Sequence, residues 1–144
     1  MKSVLFRNLA CIAIVAVLFS GCSSEPKLAQ ISGKVSFKGK PVPAGYVTFT
    51  PDVAKGTNGQ VVGFQIKDGS FDSARNNPPG IAAGSYKLRI AGFDGVVIPF
   101  WGQGKQIFNP ITDECVVTEG VSTKDIEVPN SAGENVKIEM TADS

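Results

Sequence analysis

Cys11, Cys22 and Cys115 are the only thiols in this chain, and no histidine is present to activate them. That absence removes Ser-His-Asp and Cys-His nucleophilic catalysis, His-ligated zinc and most imidazole acid–base chemistry. Carboxylates remain. Asp68, Ser70 and Asp72 have the alternate spacing that opens a calcium loop, but such a loop needs glycine at its sixth place and glutamate at its twelfth. Those places hold Ser73 and Pro79, so a hairpin turn is expected there and no metal ligand is assigned. Lys34 and Asn135 are the obvious pair for a lysine–asparagine isopeptide bond. Lys34 falls on the polar side of its alternation, whereas that bond needs a buried lysine. Phe100, Trp101 and Phe108 lie in a glycine-rich stretch between Gly92 and Phe108. Aromatics on such a loop can stack on a sugar or enter a partner, or can cap the end of a core. No catalytic residue and no cofactor is assigned.

The elements that must position these residues read as β throughout. In 31–37, Ile31, Gly33, Val35 and Phe37 alternate with Ser32, Lys34 and Ser36, the period of a half-buried strand. Val47 and Phe49 alternate with Tyr46, Thr48 and Thr50. A third strand covers 61–67, and Asp68-Gly69 turns it into a fourth around Phe71, because both residues tolerate positive φ. Tyr86, Leu88 and Ile90 share one face of 85–91, with Lys87 and Arg89 opposite. Three last strands are expected at 113–118, 123–128 and 134–141. No segment carries a helical period, and 16 glycines and 9 prolines punctuate the chain. Seven to eight short strands imply a single antiparallel β-sandwich. Val35, Phe37, Val47, Phe49, Phe71, Tyr86, Leu88 and Ile90 are expected between its sheets.

The start of the chain has a different character. Lys2 and Arg7 precede an unbroken apolar run over 9–19, followed by small residues, as in a secretory signal peptide. The run is too short to span a bilayer, which takes about 20 residues. Leu18-Phe19-Ser20-Gly21-Cys22 resembles the lipobox of bacterial lipoproteins. The resemblance implies cleavage before Cys22 and a multi-acyl lipid on that residue. Residues 1–21 are then the signal, 22–29 a polar tether and 30–144 the β-sandwich domain. Ser23, after the cysteine, is similar to the outer-membrane-directed case. The expected location is therefore the cell envelope, with the chain held at the membrane and facing the periplasm or the cell surface.

Charge and thiols limit the partners. The full chain has 14 basic and 13 acidic residues with no basic block, so nucleic acid is not an expected partner. Loss of the signal leaves Cys115 as the one unmodified thiol, which cannot form an internal disulfide. It is expected as a buried strand cysteine in Cys115-Val116-Val117.

The segment from Ile31-Ser32-Gly33-Lys34-Val35 through Gly39-Lys40-Pro41-Val42 to Gly45-Tyr46-Val47-Thr48-Phe49 resembles the opening of carboxypeptidase-regulatory-like domains, which are transthyretin-like (prealbumin-type) β-sandwiches. Asp68-Gly69-Ser70-Phe71 and Gly84-Ser85-Tyr86-Lys87-Leu88 are similar to two later pieces of that pattern. The whole looks most like small planctomycete-type lipoproteins carrying one such domain. All the matching residues are structural. The resemblance implies a fold and a non-catalytic structural or interaction role, with an envelope protein or polysaccharide as partner. The alternative is a carbohydrate- or peptide-binding accessory module that uses the 92–108 loop.

Overall fold

Two turns in which consecutive residues adopt positive φ shape the first half of the chain. In the computed structural model, which describes residues 28–97, 99 and 102–137, Lys38-Gly39 has φ of 52° and 73°, and Asp68-Gly69 has 50° and 74°. Both are the primed turns whose twist suits a two-residue hairpin. The first joins β1 (Gln30–Phe37) to β2 (Lys40–Pro41), and the second joins β4 (Val62–Lys67) to β5 (Ser70–Asp72). Between them runs β3 (Ala44–Pro51). The long β6 (Gly84–Phe93), β7 (Ile111–Val117), β8 (Val121–Thr123) and β9 (Ile126–Val128) complete the sheet. No α-helix occurs among the described residues; short 3₁₀ turns lie at Val53–Lys55, Ser73–Arg75 and Asn130–Gly133.

The strands follow the order β2-β1-β5-β4-β3-β6-β7, with β8 and β9 added along the other side of β1. The sheet curls over its own core. Lys124, in the link between β8 and β9, reaches Asp113 on β7 at 2.8 Å, so β7, at one end of the strand order, faces the β8–β9 edge beside β1. Phe49 occupies the middle of the space enclosed. Its ring lies 5.1 Å from Phe64, 5.8 Å from Tyr86 and 6.1 Å from Phe71, all in the tilted or edge-on arrangements aromatic rings prefer. Val35, Val47, Leu88 and Ile90 are buried with them, as alternation predicts; Phe37 is only partly buried at the margin.

Two features depart from the expected antiparallel sandwich. First, the predicted strand 123–128 is split, and its pieces run parallel to β1: Gln30–Ser32 pair with Val121–Thr123, and Val35–Phe37 with Ile126–Val128. The link between them steps over Gly33. A Cβ there would lie 1.8 Å from the Lys124 carbonyl oxygen, so no larger residue fits. The Lys124 N–H donates to Ser32 O, and the Lys34 N–H to the Asp125 carboxylate at 2.8 Å, replacing the missing ladder bonds. Second, the expected strand 134–141 does not form over 134–137, and its remainder lies outside the described residues. Asn109 holds this stretch with side-chain bonds instead of a ladder. Its amide donates to the carbonyls of Glu134 and Asn135, and its side-chain oxygen accepts from the Lys137 N–H.

Candidate functional site

β6 does not end in a loose loop. After Phe93 the chain pairs with its own return, through a bridge between Phe93 and Gln106. Backbone bonds continue the pairing from Asp94 N–H to Lys105 O (2.9 Å) and from Gly95 N–H to Gln103 O (3.1 Å). The Asp94 carboxylate closes the neck: Oδ1 accepts from the N–H groups of Val96 and Lys105, each at 3.0 Å. Gly104 makes room for it. Its φ is +85°, and a Cβ would sit 1.9 Å from that same oxygen. The Gln103 amide donates to the Tyr46 hydroxyl on β3, which ties the arm to the sheet. Residues 92–108 thus form a clamped arm. The sequence signal for the clamp was Asp94-Gly95, the same dipeptide type as Asp68-Gly69; Gln103 and Gly104 acquire their roles only through contacts across the fold.

The arm has two kinds of apolar residue. Phe108, one of the candidate ligand-contacting aromatics, is fully buried at the base, 5.2 Å from the Phe37 ring. Its edge fills the place where a Gly92 side chain would be, since a Cβ there would lie 2.3 Å from the ring. It plugs the end of the core and offers no surface to a ligand. At the tip the reverse holds: Val96 is 58% exposed and Val97 75% exposed, with Pro99 and Gly102 also exposed. No charged residue occurs from Gly95 to Gly104. Phe100 and Trp101, the other two candidates, lie outside the described residues, as does Cys22.

The arm and the chain entry occupy opposite poles. Ala29 bridges to Ile81, and Gln30 N–H bonds Gly120 O, beside the start of β6 at Gly84 and the end of β7 at Val117. The arm leaves from the far end of β6. Ten strand residues at about 3.3 Å each set the poles roughly 30 Å apart.

The other sequence candidates resolve into structural roles. Asp68 is in the hairpin turn, while Asp72 accepts from the Ala74 N–H at 2.8 Å and caps the following 3₁₀ turn. Among the described residues no cluster of three potential metal-ligating side chains exists. Lys34 is exposed, so the buried lysine an isopeptide bond requires is not there. It lines a shallow groove of 680 Å³ on the outer face of β1, with Asp68, Ser70, Asp125 and Glu127. Cys115 is half-buried; burial pushes its thiol up, Lys124 opposes this in part and Asp113 adds to it, and the net rise disfavours the nucleophilic thiolate. No protein-family model, curated protein or solved structure matches the chain.

Proposed function

We propose that this protein is a lipid-anchored, non-catalytic β-sandwich of the cell envelope, of carboxypeptidase-regulatory-like type, and that it works by binding. The arm 92–108 is its interaction element. The observation that carries this reading is the contrast within the arm. A neck fixed by Asp94 and a base plugged by Phe108 present exposed Val96 and Val97, whose apolar surface gains nothing from water. Such a construction stabilises the presentation of a tip rather than its burial. The anchor reading is supported by the basic–apolar–small pattern that ends at Cys22.

Two measurements test it. Mass spectrometry of the membrane-associated chain should find acylated Cys22 as its first residue, and Cys22→Ser should leave a precursor or a soluble form. An unmodified Cys22 in the mature protein would overturn the anchor. Envelope, glycan and peptidoglycan pull-downs comparing wild type with Val97→Asp should lose capture in the variant at unchanged melting temperature; equal capture by both would remove the arm from the function.

A further inference from the structure

We infer that the pole at which the chain enters the body is a membrane-resting surface, seated on the bilayer that holds the lipid of Cys22, so that the arm stands away from the membrane. The inference rests on the anchor reading and adds to it the face that meets the bilayer. Three observations carry it. First, exposed apolar side chains gather at this pole. Of the eight exposed large apolar side chains among the described residues, five lie here: Leu28, Val53, Val61, Val116 and Val121, the four valines at 58–75% exposure. Connectivity places them together. Gln30 pairs with Val121, and its N–H bonds Gly120 O. Ser85 pairs with Val116 and accepts from the N–H of Asp52, the neighbour of Val53. Val61 precedes Val62, which pairs with Phe49 near the end of β3. Midway between the poles, by contrast, the outer face of β6 carries the charged Lys87 and Arg89.

Second, the pole has little charge to desolvate. The segments 52–61, 76–84 and 118–121 hold three charged residues, Asp52, Lys55 and Glu119. Asp52 is buried, and Lys55 lies 3.6 Å from it and 2.6 Å from Glu114. Third, Leu28 leads back to Cys22 over a short stretch. Residues 22–28 reach at most about 22 Å when fully extended. This tether selects the occupant. An exposed apolar patch marks a surface that meets a partner, and a lipid on Cys22 keeps this patch beside a bilayer at all times. A short flexible link gives an effective concentration in about the millimolar range. A contact too weak to bind vesicles from free solution is therefore enough. Valine side chains and the neutral amides of Asn58 and Gln60 suit the bilayer interface. Glu119 is repelled by anionic headgroups, so the expected surface is zwitterionic. Seated in this way, the body holds its arm roughly 30 Å from the membrane.

The test uses the mature chain from residue 22 with Cys115→Ser, which leaves Cys22 as its one thiol. Cys22 is coupled to a maleimide-bearing phospholipid in phosphatidylcholine vesicles, which supplies a tether whether or not the cell does. The reference is the same chain capped with N-ethylmaleimide and mixed with the same vesicles. Amide exchange should slow by about tenfold on tethering in 58–61 and 118–121, as an equilibrium favouring the seated pole requires. Exchange in 94–97 and 103–105 should not change. Val53→Asp and Val121→Asp should each abolish most of that protection. Gln65→Asp, on the exposed face of β4 opposite Tyr46, should keep it. Circular dichroism melts confirm that each variant is folded. Equal exchange in the tethered and capped chains would overturn the inference, as would protection that survives both pole variants or appears equally in the arm. Protection that grows with protein density rather than with tethering would assign the pole to a second copy of the chain and also overturn it. The anchor reading fails separately: an unmodified Cys22 in the mature protein rejects the natural lipid, while protection in the coupled chain still identifies the pole as the face that meets lipid.

Discussion

The two ends of β6 are built by different physics. At its start and middle, Tyr86, Leu88 and Ile90 are held by burial among Phe49, Phe64 and Val47. Beyond Phe93 the chain keeps its shape with a short run of backbone pairing, the Asp94 carboxylate, the Gln103–Tyr46 bond, two glycine-dependent close approaches and one buried ring. Apolar burial is non-directional and scales with area, so the body tolerates change at its margins and resists it at its centre. Polar clamping is directional and local, so the arm depends on a few atoms. A body stabilised by area and an arm stabilised by geometry should fail separately.

The comparison breaks most clearly at the centre. Phe49→Ala should cost about 3–5 kcal/mol, a large share of the stability of a domain. A denaturation midpoint barely moved by the change would place Phe49 outside the core. Gly33→Ala comes next. Its new methyl meets the Lys124 carbonyl, and overpacking against backbone costs about 1–3 kcal/mol. The loss should appear as faster amide exchange in β8 and β9. Asp94→Ala should cost the whole domain only about 1 kcal/mol, yet expose the N–H groups of Val96 and Lys105. Loss of their exchange protection without a large shift in melting temperature would sharpen the distinction between arm and body.

The smallest effect is electrostatic. Burial pushes the Asp113 carboxyl up, but the Lys124 ammonium and the Glu114 N–H more than offset it and bring it below its ordinary 3.8. A carboxyl lowered on folding adds stability above its unfolded value and loses it as pH falls through the folded one. The pair is partly exposed and screened, so its contribution is within about 1 kcal/mol. Lys124→Met should therefore melt slightly below wild type at neutral pH, and the two curves should converge in acid below the ordinary carboxyl value. A gap that persists there would assign the effect to packing of the lysine stem.

Local pattern made much of the body legible. Alternation placed Val35, Val47, Phe49, Phe71, Tyr86, Leu88 and Ile90 inside, and Asp68-Gly69 marked its hairpin. What escaped was non-local. Nothing near Val121 or Ile126 says that they pair in parallel with residues some ninety positions earlier, and Gly33 reads as one more inward position of an alternating strand until the Lys124 carbonyl crosses it. The alternation of 134–141 suggested a strand, but over 134–137 Asn109 satisfies the backbone without a ladder. In the arm, aromatic type alone grouped Phe108 with Phe100 and Trp101. The cleft beside Gly92 is what removes Phe108 from the surface, and no property of residue 108 in isolation reports it.

The position of β1 has a consequence for the order of assembly. It is the first strand of the described residues, yet it is flanked on one side by β2 and β5 and on the other by β8 and β9. Its outer partners follow it by some ninety residues, so the loop that must close to pair Val35 with Ile126 is long and slow to find. Until residue 128 is available, one edge of β1 and the apolar side of Ile31 and Val35 stay uncovered, which makes the growing chain sticky. The sheet around β1 is therefore complete only once β8 and β9 have been made. A truncation before β9 should leave an aggregating chain rather than a smaller folded one.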